Sequence, residues 1–158
     1  MTRRFAAAAA LLVILCSTAT AQAPGPGLTW SGSSGNSAGS FFPSCANLPV
    51  AAVAGETVTL RVWGDPQTQF ALGMAPSGSQ CVPFPGIGGG LVLDPPLLEL
   101  FFGVLTQFTP CLSCPPTFAE VVLPVPPGIP RGASAAFQGL GTGGGNPAFT
   151  VAITATVR

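Results

Sequence analysis

The chain contains no histidine, no tyrosine and no lysine; all five of its basic residues are arginine. These absences exclude whole classes of chemistry. Without imidazole there is no His-ligated metal and no Ser-His or Cys-His nucleophile, and without an ε-amine there is neither a Schiff base nor the lysine of a phosphate-binding loop. Charge is scarce too, at 6% of 158 residues, with five acids offsetting five scattered arginines. No basic stripe is left along which a nucleic-acid backbone could lie, so nucleic acid is not an expected partner. No cofactor is implied.

Glycine and proline are abundant instead, 21 and 18 residues, together about a quarter of the chain. That share approaches low-complexity disorder, yet Leu, Ile, Val and Phe make up 44 residues, roughly 28% of the chain. This exceeds the ~20% below which burial fails to offset chain entropy. The composition therefore predicts a folded domain with many turns.

The first 21 residues read as an address. Arg3 and Arg4 form a positive start, Phe5 to Leu15 an apolar run, and Ala19-Thr20-Ala21 an A-x-A cleavage site, the three parts of a secretory signal peptide. The run is too short for a transmembrane helix, which needs ~20 residues, and no later stretch is long enough. Lipid attachment at Cys16 is the lesser alternative, because Leu15 stands where such a signal wants a small residue. Residues 22–158 would then be exported to the periplasm or the extracellular space. They keep Arg61, Arg131 and Arg158 against Glu56, Asp65, Asp94, Glu99 and Glu120, a net charge of −2. So few charges leave self-association open.

Four cysteines remain after the leader: Cys45, Cys81, Cys111 and Cys114. An even number in an oxidising compartment predicts two disulfides. Spacing alone leaves three connectivities, with a preference for pairing Cys111 and Cys114 outward to Cys45 and Cys81, which closes the longer loops. Redox chemistry at Cys111-Leu112-Ser113-Cys114 is disfavoured, since Pro115-Pro116 follows where a helix would have to begin. A zinc site is disfavoured as well, since Cys45 and Cys81 are isolated singles.

Period-two alternation recurs along the chain. Gln22 to Ser40 is a Pro, Gly and Ser-rich lead, expected as a flexible or edge segment, with Leu28 and Trp30 as its large apolar anchors. Thr57 to Trp63 alternates, Gly64-Asp65-Pro66 breaks the run, and Phe70, Leu72 and Met74 resume it, which suggests a hairpin. Ala75 to Gly90 reads as a long loop carrying Cys81. For residues 97–105 helix and strand compete, and the surroundings together with Gly103 favour strand. Phe118 to Val125, Ala133 to Gln138 and Phe149 to Arg158 are further strands. The expected fold is all-β, an antiparallel β-sandwich of jelly-roll or immunoglobulin-like type, with about seven or eight strands over residues 41–158.

Several motifs have ordinary explanations. Gly139-Leu140-Gly141-Thr142-Gly143-Gly144 satisfies G-x-G-x-x-G, but Gly145-Asn146-Pro147 leads into another strand where a phosphate site needs a helix, so a hairpin loop is expected. Glu99 and Glu120 on predicted strands could form a hydrolase pair only if they faced each other across a substrate. Asp65 and Asp94 lack the D-x-D run of a calcium loop, and no metal site is expected. Trp63 falls on the polar side of its strand and, with Trp30, Phe41 and Phe42, is a candidate platform for sugar stacking.

The run GETVTLRVWG (55–64), then VVLPVPPGIPRGASAAFQGL (121–140), then a Thr-alternating last strand, resembles a recurring type of bacterial secreted β-sandwich module. The resemblance implies the fold class and export, and carries over no catalytic residues. The expected function is that of an exported, non-enzymatic structural or interaction module meeting a protein or glycan surface. A carbohydrate-binding module using exposed Trp63 or Trp30 is the alternative, and a carboxylate-dependent hydrolase ranks last.

Overall fold

A computed structural model of the chain describes residues 25–108, 116–143 and 145–158. The expected signal peptide, Cys111, Cys114 and Gly144 lie outside these residues. Among the described residues there are twelve strands and no helix. They are β1 (Gly27–Gly32), β2 (Ser37–Ser40), β3 (Asn47–Ala52), β4 (Thr57–Gly64), β5 (Gln69–Ala75), β6 (Gly78–Phe84), β7 (Ile87–Leu93), β8 (Leu98–Val104), β9 (Gln107–Phe108), β10 (Thr117–Pro124), β11 (Ser134–Gly143) and β12 (Asn146–Val157). One sheet has the order β2-β1-β4-β10-β9; the other runs β6-β7-β12-β11-β5-β8, with β3 also against β12. Pairing is antiparallel except where β12 meets β3 and β7. The chain is thus an all-β sandwich.

Alternation decides what each sheet turns inward. Leu28 and Trp30 of β1, Val58, Leu60 and Val62 of β4, Phe70 and Leu72 of β5, Phe137 of β11 and Val151 and Ile153 of β12 form one buried core between the sheets. Burying such side chains contributes roughly 1.5–3 kcal/mol each, enough to offset the many turns. Leu105, fully buried, belongs to the same core where the chain leaves β8 for β9 in the opposite sheet.

Three local expectations change. The lead is no loose tether: β1 pairs with both β2 and β4, and its Leu28 and Trp30 are buried, so the segment is the edge pair of the first sheet. β4 and β5 do not form a hairpin, because Gly64-Asp65-Pro66 carries the chain from one sheet to the other. Alternation alone cannot distinguish these outcomes, since both strands need one apolar face either way. Ala75 to Gly90 contains most of a real hairpin, β6 and β7, whose glycines concealed its period. Residues 98–104 form a strand, as the sequence favoured over a helix.

That hairpin crosses the outer face of the second sheet. On β11, Phe137 points into the core, so Ala136 and Gln138 point away from it, and both are buried beneath β7. Gln138 is the pin: its Oε1 accepts from the Val92 N–H at 2.8 Å, and its Nε2 donates to the carbonyls of Gly90 at 2.8 Å and Thr150 at 2.9 Å. Ala75, Leu93 and Ala136 pack beside it as a second small core. Cys45 is bonded to Cys81, which ties β6 to the segment between β2 and β3. This replaces the outward pairing preferred from loop length: the fold places these two Cα atoms 5.4 Å apart, within bonding reach, and geometry outweighs unfolded-chain entropy.

Candidate functional site

The two tryptophans nominated for sugar stacking sit on adjacent strands and opposite faces of the first sheet, and neither offers a free ring. Trp63 is only 8% exposed. Phe41 meets it edge-on at 5.2 Å, Phe118 lies 4.8 Å away on the cross-strand position, and its Nε1 donates to the Thr29 hydroxyl at 3.0 Å. The sequence placed Trp63 correctly on the outer face and missed that Phe41, arriving after β2, covers it. Trp30 is buried between the sheets, 5.5 Å from Phe137. Its Nε1 has no hydrogen-bond partner among the described residues.

The carboxylates are occupied locally. Glu120 on β10 pairs with Arg61 at 2.8 Å across the β4–β10 ladder, whereas Glu99 belongs to β8 in the other sheet, so the facing pair that the last-ranked hydrolase alternative needs is not assembled. Asp94, just after β7, accepts from the hydroxyls of Ser79 at 2.7 Å and Ser77 at 2.8 Å, which hold its carboxyl below the usual range. Asp65 accepts from the Gly145 N–H at 3.1 Å. Glu56 is buried; burial pushes its carboxyl up, but the Ser34 hydroxyl and the backbone N–H groups of Val53 and Ser34 outweigh it and leave the group below its ordinary value. These bonds clamp the β1–β2 turn to the β3–β4 turn. Among the described residues no three His, Cys, Asp or Glu side chains gather as a metal site, and no helix is long and apolar enough to cross a membrane.

The glycine-rich run has a packing role. Gly139 and Gly141 lie within β11 and the run leads into the turn to β12. A Cβ on Gly143 would strike the backbone of Gly25, and one on Gly139 would press on Thr150. Close approach between segments accounts for these glycines, as it does at many strand positions where no side chain fits.

Two features stand out that the sequence did not single out. The first is β8. It pairs only with β5, so its other edge is free among the described residues. A register shift in that ladder gives β8 one residue more than its partner between Glu99 and Phe101. Leu100 packs inward, while Leu98, Phe101, Phe102 and Val104 are all exposed, Phe102 to 57%. The second feature is a cavity of about 380 Å³ between the sheets at the end capped by the turn after β10. Its walls include Trp30, Met74, Leu100, Val125, Ile129 and Phe137. Exposed Pro124, Pro126 and Ser134 mark where it opens to solvent. The signal for β8 was present as the run Leu97 to Phe102; the signal for the cavity was not, because its lining comes from eight different strands.

No protein-family model matches this chain, and no curated protein matches it.

Proposed function

We propose that the chain is an exported, non-enzymatic structural and interaction module that assembles with a second copy of itself through the free edge of β8. The apolar edge carries this reading. A free edge strand presents unpaired N–H and C=O groups, and folded proteins ordinarily blunt such edges with lysine, proline or inward charge. β8 has none of these within it, Glu99 is its single charge, and the bulge at Leu100 is the one blunting feature it carries. An antiparallel two-fold centred on Phe101 sets Glu99 opposite Gly103 and Leu98 opposite Val104, so no like charges meet and four exposed apolar side chains per copy leave water. The chain's low overall charge removes the repulsion that would otherwise hold two copies apart.

The test is sedimentation across a concentration series. The wild-type protein is expected to run as a dimer, and Phe102→Lys as a folded monomer, since the side chain is already exposed, with a melting temperature that no longer depends on protein concentration. A wild-type monomer at all concentrations overturns the reading, and so does a dimer that survives Phe102→Lys. Export itself is tested by following the chain in fractionated cells with and without residues 1–21.

A further inference from the structure

We infer that the inter-sheet cavity is a binding site for a compact apolar molecule carrying one hydrogen-bond acceptor, such as an aryl or short-chain ketone or ester, and that the Trp30 indole N–H is the donor that receives it. The cavity, at about 380 Å³, is within the range of small-ligand sites and is lined by aliphatic, aromatic and proline residues, with Ser134 its one hydroxyl. That hydroxyl already donates to the Pro76 carbonyl at 3.3 Å. Trp30 is 3% exposed and lines the same space, and its Nε1 is without a partner among the described residues. Trp63, three strand positions from Leu60, the partner of Trp30 in the ladder, shows the contrast, since its N–H is used by Thr29.

A buried donor left unmatched is costly, and folded proteins satisfy nearly all of them. Water is a poor solution here. A bound water needs two to four polar partners, whereas the side chains around this space offer one uncommitted donor, so water deep in it is weakly held and an apolar guest displaces it favourably. A ligand with an apolar body and a single acceptor satisfies both the walls and the indole. The mouth at Pro124, Pro126 and Ser134 provides entry, and the prolines give it a stiff rim. This site is separate from the free edge of β8 and does not depend on self-association.

Acetophenone and α-methylstyrene test it, being nearly identical in shape and differing in the carbonyl oxygen. With two tryptophans in the chain, ¹⁵N-labelled protein shows two indole cross-peaks. Acetophenone is expected to move the Trp30 indole proton downfield in a saturable way, leave the Trp63 peak in place, and bind about tenfold tighter than α-methylstyrene, the ratio for one hydrogen bond of typical net strength. Trp30→Phe is expected to equalise the two affinities, and Ala155→Leu, which takes up part of the cavity, to weaken both; the Trp63 cross-peak reports that each variant is folded. No saturable shift at Trp30 overturns the site. Equal affinities in the wild type overturn the role of the indole, and that comparison needs no variant.

Discussion

The two sheets shield their outer faces by different means. The β12-β11-β5-β8 part of the second sheet is crossed by backbone, the β6–β7 hairpin that continues the same sheet beyond β12, whereas the five-stranded sheet is shielded by side chains: Trp63 between Phe41 and Phe118, with the Arg61 guanidinium 5.4 Å from the Phe118 ring centroid. The difference has a chemical consequence. A strand laid over a sheet brings N–H and C=O groups that must be satisfied away from water, so a buried polar side chain is required beneath it, and Gln138 fills that role. Aromatic rings bring no such obligation beyond the indole N–H, which Thr29 meets.

The comparison can be broken most forcefully at Gln138. Gln138→Leu keeps the volume but orphans the Val92 N–H and the carbonyls of Gly90 and Thr150, and is expected to cost on the order of 4 kcal/mol in denaturant unfolding, at ~1–3 kcal/mol per abandoned group. A loss below about 1 kcal/mol would mean the hairpin is held chiefly by Leu93 and the Cys45–Cys81 bond. Trp63→Ala is the matching change on the other face, with an expected loss of about 3 kcal/mol, at the low end for a large aromatic because the site borders solvent. Its signature is distinct: hydrogen exchange should quicken in β1, β4 and β10 and stay unchanged in β7.

The smallest effect concerns pH. Asp94, tied to Ser79 and Ser77, titrates lower folded than unfolded, so its contribution is present above the ordinary value of 3.8 and is lost as pH falls through the depressed folded value. Between about pH 5 and about pH 2.5 the wild type should therefore lose more melting temperature than Asp94→Asn, while Glu56, present in both, contributes equally to each. Parallel curves would remove Asp94 from the hairpin's support.

The strands most legible in the sequence were those whose one buried face meets one core. Thr57 to Trp63 and Phe149 to Arg158 alternate cleanly because each has a single apolar side to hide. The β6–β7 hairpin was illegible for the opposite reason. Its residues fold over the strands beyond β12, Gly88 and Gly89 allow the close approach to Ala148 and Phe149, and no apolar period results. The lead was misjudged in part because two anchors, Leu28 and Trp30, look too few for a strand until β4 is placed beside them. For the candidate sites, local composition flagged β8 as apolar but not as an edge, which only strand order can show. The role of Trp30 was out of reach, since an unmatched N–H depends on what every neighbouring strand happens to present.

The placement of β12 also sets a schedule for the chain. Every strand it pairs with precedes it, and among the described residues β3 has its ladder with no other strand. Asn47 beside β12 must wait for Thr154, 107 residues later, before the two side chains can bond. At ordinary rates of synthesis that interval is on the order of 5 to 20 s, during which β3 has no ladder to join. The newly made chain therefore cannot complete its second sheet until the last described strand has been synthesised.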